Sequence, residues 1–300
     1  MTNSVKNIFF LGKGGVGKST SSALTALHLA EKGHKTLLVS MDPAHNQSDI
    51  FEKKLSEKFL KINKNLSAKE VEISRWVNNY LEEMQSQVKR SYSYLTAFNL
   101  ENYLDILKFS PGIEEYALLM AYQSIRNKAK DVDYIVFDMP PTALTLKFLT
   151  LPDVSLTWLE NLLMLRNKII EKKEIISRVK FGKKEIETDK IRNKLNKQIK
   201  DYKSIKAVFR DKSKTSLNLV MNTDKLSFSE SQLIVDSLAK FEITISNLFL
   251  NKWHQGFDYS EIKKKYKNYG FQLFPESETP LLGVPALADY LSRIDKFVML

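Results

Sequence analysis

Hydrophobic residues follow two patterns along this chain: short continuous apolar runs, and longer stretches in which apolar residues recur every three or four positions. The runs at residues 5–11, 35–40 and 134–137 are rich in β-branched and aromatic residues, which is typical of buried strands. Residues 19–32 have helical spacing between the first two runs, and Gly33 ends that helix. A strand, a helix and a strand in close succession form a βαβ unit, so the pattern predicts a parallel sheet.

The rest of the chain alternates between the same two patterns. Further strands are predicted at residues 216–221 and 243–250 and near 69–73, and further helices at 153–210, at 229–240 and from about Ala286 onward. The sequence therefore predicts an α/β fold with a mostly parallel sheet flanked by helices. We expect a discontinuous core of residues 1–50, 131–152 and 215–300, and a helical subdomain formed by two insertions, 51–130 and 153–214.

Composition removes several classes of function. The 300 residues include no cysteine, which excludes disulfides, thiolate metal sites and cysteine nucleophiles. The four histidines are scattered without a helical His-x3-His pair, which argues against a zinc enzyme. No run approaches the roughly 18 to 20 apolar residues that a membrane-spanning helix needs. The first apolar run is also shorter than the core of a signal peptide, so we expect a cytoplasmic protein.

The positive charge of the chain is concentrated in one segment. Residues 166–214 hold 18 Lys and Arg against 7 Asp and Glu, an excess of 11 that equals the net charge of the whole chain. A solvated helical face is the ordinary explanation for such a segment, and a surface that binds anions is the functional one.

A glycine-rich loop joins the first predicted strand to the first predicted helix. Residues 12–20, GKGGVGKST, match the P-loop pattern G-x4-G-K-[ST], and the flanking strand and helix argue against a chance glycine-rich turn. Backbone N–H groups of such a loop surround phosphate oxygens, and the helix N-terminus adds a positive dipole end. We expect Lys18 to neutralise phosphate charge and the Ser19 hydroxyl to bind Mg²⁺. The predicted ATP contacts are Gly12, Gly14, Gly15, Val16, Gly17, Lys18, Ser19 and Thr20.

The loop carries a second lysine, Lys13, directly after its first glycine. A P-loop needs only one lysine for its own phosphates, so Lys13 either raises the local potential or has a further role. The string KGGVGKS resembles the deviant Walker A motif of the SIMIBI ATPases, which include the partition, septum-site and nitrogenase-iron-protein families. The resemblance implies that Lys13 reaches across a dimer interface to the partner's nucleotide, somewhat like an arginine finger.

A longer resemblance narrows the class. Residues 42–49, DPAHNQSD, are similar to the switch I motif of the ArsA/Get ATPases, which are the arsenite-pump ATPase and the cytosolic targeting factor for tail-anchored membrane proteins. Residues 110–115, 133–152 and 278–287 resemble three further elements of that family in the expected order, including switch II and the loop that covers the adenine. Because the resemblance spans residues 5–298, the chain is identified as a member of this family with a P-loop NTPase fold.

The family resemblance implies a role for several residues. Lys13, Lys18 and Asp42 would form the catalytic set, with Asp42 placing the attacking water. Asp138 would contact Mg²⁺ through water, beside Ser19 as a direct ligand. Asn251 would read the adenine, and Pro280 belongs to the loop that would cover the base.

The chain also departs from the family. Switch II has TALT at residues 142–145 where the family has T-G-H-T, and Lys252 replaces the glutamine that usually follows the asparagine. Without cysteine there is neither the zinc that joins the targeting factor's dimer nor a thiolate site for arsenite. The insertion 153–214 occupies the position of the targeting factor's client groove. Its apolar first part predicts either such a groove or an ordinary packed helix.

These observations predict a Mg²⁺-dependent ATPase that forms a homodimer, at least when nucleotide is bound. ATP hydrolysis would be coupled to a client, either a hydrophobic membrane-protein segment or a membrane pump. The alternative is an ATPase of the partition or septum-site type, whose basic helices bind DNA or an anionic membrane surface.

Overall fold

A computed structural model describes residues 5–91, 110, 112–181, 189–254, 256–294 and 296–298. Eight strands form one sheet in the order β3-β4-β2-β5-β1-β6-β7-β8, and every neighbouring pair is parallel except β3 with β4. The strands are β1 (Lys6–Leu11), β2 (Thr36–Ser40), β3 (Leu60–Lys61), β4 (Leu66–Glu70), β5 (Tyr134–Asp138), β6 (Thr215–Met221), β7 (Asn247–Trp253) and β8 (Gly270–Pro275). The predicted α/β fold with a mostly parallel sheet is confirmed.

The described part of the chain contains nine helices, numbered here in chain order. They are α1 (Lys18–Glu31), α2 (Asn46–Ile50), α3 (Ile73–Ser91), α4 (Ile113–Lys128), α5 (Thr142–Phe181), α6 (Lys190–Arg210), α7 (Lys225–Ala239), α8 (Ser260–Lys265) and α9 (Gly283–Ser292). Among these helices, none is both long enough and apolar enough to cross a membrane.

The centre of the sheet is buried because helices cover it, which explains the continuous apolar runs of its strands. Phe9 stacks on Phe137 of the neighbouring strand with ring centroids 4.8 Å apart, and both rings are fully buried. Strand β5 lies between β1 and β2, with Asp138 level with Phe10 on one side and with Ser40 on the other. The carboxyl ends of these three parallel strands therefore meet at one edge of the sheet.

Several predicted boundaries were wrong by a few residues. The strand expected near residues 69–73 is β4, which begins at Leu66, and the strand expected at 243–250 is β7, which begins at Asn247. The segment before β7 contains the apolar side chains of Ile243 and Ile245, which are buried although they lie outside the strand. Strand β8 was missed, and the last helix begins three residues before Ala286, at Gly283.

The chain divides into two compact units, one formed by residues 1–148 and 212–300 and the other by residues 149–211. In the second unit Asp153 of α5 accepts hydrogen bonds from two side chains of α6, Lys206 Nζ at 2.7 Å and Arg210 Nη2 at 2.8 Å. Asp189 caps α6 by accepting from the backbone N–H of Arg192 at 2.7 Å, and it also pairs with Arg166. A further ion pair joins Lys203 of α6 to Glu160 of α5, so several charged contacts hold the two helices together.

Candidate functional site

The carboxyl ends of β1, β2 and β5 carry the principal functional residues predicted from the sequence. The P-loop follows β1, Asp42 follows β2 by two residues, and Asp138 is the last residue of β5. The backbone N–H of Met41 donates to the carbonyl of Asp138 at 2.8 Å, so the segment that leads to Asp42 is fixed beside β5. Ligand sites of open parallel sheets form at this kind of crevice, where neighbouring connections leave in different directions.

The glycines of the P-loop permit close backbone contacts. Gly12 has φ of 149°, and a Cβ atom there would lie 2.4 Å from the carbonyl oxygen of Val220 on β6. Gly17 has φ of 90°, and a Cβ atom there would lie 2.2 Å from Nδ2 of Asn251. Any side chain at either position would collide with a neighbour, so the loop keeps the shape that leaves room for phosphate.

Lys18 is buried at the start of α1, and its Nζ donates to the carbonyl of Lys13 at 3.2 Å. Burial lowers the pKa of this ammonium group, while the negative charges of Asp138 and Asp42 partly raise it again. The ammonium group folds back over its own loop, as a lysine that neutralises phosphate should.

Asp138 is completely buried, and burial raises the pKa of its carboxyl to about 6. Hydrogen bonds from Gln47 and Ser19 act in the opposite direction, because they favour the ionised form. Its Oδ2 accepts from Gln47 Nε2 at 3.0 Å, whereas its Oδ1 has no hydrogen-bond partner among the described residues. A buried carboxylate oxygen without a partner is costly unless a ligand supplies one.

These groups fit a magnesium ion that arrives with its nucleotide. The Ser19 side chain lies close enough to the Asp138 carboxylate to lower its pKa, so the two oxygen groups are neighbours. No cluster of three His, Asp or Glu side chains is found in the described parts of the chain. The Ser19 hydroxyl and the Asp138 carboxylate are oxygen groups of the kind that Mg²⁺ takes, usually one or two from the protein together with phosphate oxygens and water.

Asp42 is buried at the start of the loop between β2 and α2. Its Oδ1 accepts from the backbone N–H of Ala44 at 3.0 Å, and its carbonyl accepts from the N–H of His45 at 3.2 Å. His45 has φ of 52°, a left-handed conformation that reverses the chain into α2. The carboxylate of Asp42 is therefore fixed within a tight turn beside Lys18 and Asp138, whose pKa values both respond to its charge.

Lys13 lies at the entrance of the loop and makes an ion pair within the chain. Its Nζ lies 3.1 Å from Oε1 of Glu230 on α7, and both side chains are partly exposed. Nothing in the sequence around Glu230 indicated this contact, because the two residues are more than 200 positions apart. The role expected for Lys13 at a partner's nucleotide requires that this pair separate.

Asn251 and Pro280, which we expected on the adenine side, lie in different surroundings. Asn251 is in β7 and donates from Nδ2 to the carbonyl of Val16 at 2.9 Å, so it contacts the P-loop directly. Pro280 is exposed in the loop between β8 and α9 and takes no part in the hydrogen bonds described above. Their contact with a base stays a prediction.

The structure adds Gln47 to the site, a residue that the sequence did not single out. It is fully buried in α2, and its Nε2 lies within 3.0 Å of the Ser19 carbonyl, Ser22 Oγ and Asp138 Oδ2. One feature of the sequence could have pointed to Gln47. It lies within the string DPAHNQSD at residues 42–49, which resembles a known switch motif.

The chain is similar in sequence to known ATPases. A family model described as anion-transporting ATPase matches residues 5–268. A putative arsenical pump-driving ATPase 2 from Aquifex aeolicus (strain VF5) is 32% identical over 245 residues, which cover 81% of this chain and 79% of the relative. An ATPase ASNA1 homolog from Cryptosporidium parvum is 34% identical over 257 residues, which cover 83% and 65% of the two chains. A putative arsenical pump-driving ATPase from Prosthecochloris vibrioformis is 30% identical over 281 residues, covering 92% and 68%.

Proposed function

Because the chain belongs to the anion-transporting ATPase family, it is an ATP hydrolase, and we propose that its hydrolysis drives a nucleotide-switched homodimer that handles a client with a hydrophobic segment. Relatives named as ASNA1 homologs and as arsenical pump-driving ATPases support the general type of machine. The client and the dimer belong to the proposal, and each rests on particular residues.

The nucleotide chemistry follows from the residues at the strand ends. The P-loop backbone and Lys18 bind the phosphates, and Asp42 orients the attacking water. Mg²⁺ would be held by the Ser19 hydroxyl and, through water, by Asp138, where it would neutralise charge on the phosphates. Oδ1 of Asp138 supports this assignment: it has no hydrogen-bond partner among the described residues, and water on a bound Mg²⁺ would supply a donor for it.

Lys13 connects the chemistry to dimer formation. Its ion pair with Glu230 is partly exposed, and such pairs contribute only about 0 to 1 kcal/mol. A triphosphate on a second copy of the chain offers several negative oxygens and therefore competes easily with one carboxylate. Closure of the dimer then depends on the γ-phosphate, which ADP does not provide.

A row of exposed apolar side chains on α5 is the observation that carries the client proposal. We call it the α5 stripe; its members, with the exposed fraction of each side chain, are Val154 (50%), Trp158 (65%), Leu162 (40%), Leu165 (55%) and Ile169 (38%). Steps of four, four, three and four residues place all five on one face of the helix. At 1.5 Å per residue the stripe is about 22 Å long, which suits an apolar helix of similar length.

The alternative partners, DNA or an anionic membrane surface, have weaker support. In the second unit Arg166, Lys203, Lys206 and Arg210 already pair with carboxylates of the same unit. The excess of positive charge is therefore partly neutralised by carboxylates of the second unit itself, as expected for a solvated helical face.

A trapped variant tests the proposal. We would express Asp42→Asn, which should bind ATP and hydrolyse it slowly, and compare its size and its co-purifying proteins in ATP and in ADP. A dimer that retains proteins with an apolar helix only in ATP is the expected result. A monomer in both nucleotides would overturn the dimer, and recovery of DNA or lipid alone would replace the client with the surface partner.

A further inference from the structure

Gln47 is buried at the point where three parts of the site meet. Its Nε2 lies 2.9 Å from the Ser19 carbonyl, 2.9 Å from Ser22 Oγ and 3.0 Å from Asp138 Oδ2. Ser19 and Ser22 belong to the first turn and a half of α1, and Asp138 ends β5. A single amide thus connects the helix that follows the P-loop with the carboxylate expected at the metal.

The orientation of this amide follows from its neighbours. The carbonyl oxygen and the carboxylate oxygen are acceptors only, and Ser22 Oγ uses its own hydrogen to donate to the Ser19 carbonyl at 2.8 Å. All three atoms face Gln47 as acceptors, so the NH₂ group with its two hydrogens points towards them and shares those hydrogens among the three. If the amide were rotated by 180°, its oxygen would lie about 3 Å from the Ser19 carbonyl and from Asp138 Oδ2, which can only accept, and this arrangement is repulsive.

Two buried acceptor atoms remain unused in this cluster. Neither Oε1 of Gln47 nor Oδ1 of Asp138 has a hydrogen-bond partner within the described ranges. Both side chains are completely buried, so bulk water does not compensate for the missing bonds. The cluster is complete only when donors arrive from outside the protein, and the water molecules of a hydrated cation are donors of that kind.

We propose that Gln47 is a positioning residue for Mg²⁺: its amide holds Asp138 Oδ2 and the start of α1, so that Asp138 Oδ1 and the Ser19 hydroxyl stay in place for the hydrated ion. This inference rests on the magnesium site of the proposed function. Gln47 also lies five residues after Asp42, in the segment that forms α2. The same segment therefore carries the residue for the attacking water and the residue that steadies the metal site.

A purely structural role would give a different result. If Gln47 only filled space between α2 and α1, a leucine of similar size would replace it with little effect on metal binding. If it positions the metal site, loss of its N–H groups weakens Mg²⁺ binding even when the fold and the phosphate contacts persist. Changes in residues that orient metal ligands typically reduce metal affinity by about 10- to 100-fold.

The experiment compares Gln47→Leu with Gln123→Leu, which makes the same change at a half-buried position on α4. ADP affinity is measured by calorimetry first in EDTA and then across a Mg²⁺ titration. We expect Gln47→Leu to match the parent in EDTA within about twofold, but to need about 10-fold more Mg²⁺ for half of the metal-dependent change. Gln123→Leu should follow the parent in both conditions.

Each outcome decides one point. An unchanged Mg²⁺ titration in folded Gln47→Leu would overturn the inference, whereas a parent protein that ignores Mg²⁺ would overturn the magnesium site itself. Gln47→Met is the second variant in case Gln47→Leu does not fold, as judged by circular dichroism. It keeps the length of an unbranched side chain but has no N–H donor, so it should also require more Mg²⁺. A parent-like titration in folded Gln47→Met would contradict the positioning role.

Discussion

Asn251 Nδ2 donates a hydrogen bond to the carbonyl of Val16 at 2.9 Å and occupies the space that a Cβ atom on Gly17 would need. The two partners are 235 positions apart in the chain, and one comes from β7 while the other lies in the P-loop. The strand that we expected to serve the adenine side therefore also supports the P-loop. This contact makes the shape of the P-loop depend on a distant strand.

Gly17→Ala should damage both folding and nucleotide binding. The alanine would have to keep φ near 90° and would place its Cβ against Asn251, so we expect a loss of stability of about 1 to 3 kcal/mol and much weaker ADP binding. Urea unfolding and calorimetry with ADP measure the two effects. Adding Asn251→Ala removes the collision but keeps the backbone strain, so the double variant should recover only part of the stability. Full recovery would show that the strain at Gly17 is unimportant.

The ion pair between Lys13 and Glu230 should restrain dimer formation slightly. Glu230→Gln leaves Lys13 free, and because a partly exposed pair contributes at most about 1 kcal/mol, the ATP concentration for half-maximal dimerisation should fall by up to about fivefold. Lys13→Ala should have the opposite effect and lower ATP turnover on the order of 1000-fold, as loss of an arginine-finger-like cation does. Light scattering at graded ATP and a phosphate-release assay measure these effects. Normal turnover in Lys13→Ala would contradict the proposed role of this lysine.

Asp138 should destabilise the nucleotide-free fold at neutral pH. Burial raises its pKa to about 6, so between about pH 4 and pH 6 the folded state holds a proton that the unfolded state has already lost. Its contribution to the free energy of unfolding therefore falls as pH rises through that window. At pH 7 Asp138→Asn should be more stable than the parent by about 3 kcal/mol at most, which corresponds to a pKa rise of about two units.

The measurement is urea unfolding in EDTA at several pH values, for the parent and for Asp138→Asn. The difference in the free energy of unfolding should shrink towards pH 4, where the carboxyl is protonated in both states. A difference that does not vary with pH would contradict the raised pKa. ADP binding in the presence of Mg²⁺ should be weaker in Asp138→Asn than in the parent. The substitution would then raise the stability of the fold and lower its affinity for nucleotide.

The α5 stripe should bind the client without affecting ATP hydrolysis by the unit that contains the P-loop. Trp158→Glu places a charge in the middle of the stripe, so we expect at least a tenfold loss of client capture in the Asp42→Asn background. Met164→Glu is the matched control, because Met164 is similarly exposed at 52% but lies about 120° from the middle of the stripe. Equal loss in both variants would show that capture does not depend on this face.

The local features of the site were predictable from the sequence. The P-loop glycines, Lys18 and Ser19 lie between the predicted strand and helix, and Asp138 ends a run of apolar residues as expected. Short-range patterns suffice here because a strand that ends in glycines and continues as a helix is determined by neighbouring residues. Strand β8 was missed because Gly270 and Pro275 at its two ends have low strand preference, and its pairing with β7 compensates for that.

Pairings across the sheet were decided only by the tertiary structure. Gln47 meets Asp138 because β2 and β5 are neighbours in parallel register, with Ser40 level with Asp138. Glu230 meets Lys13, and Asn251 meets the P-loop, because β6 and β7 follow β1 in the sheet although they come from the last third of the chain. The sequence by itself determined which elements form and which residues end them. The order and register of the strands determined which of those residues touch, because side chains separated by 90 to 240 positions meet only when the whole sheet is assembled.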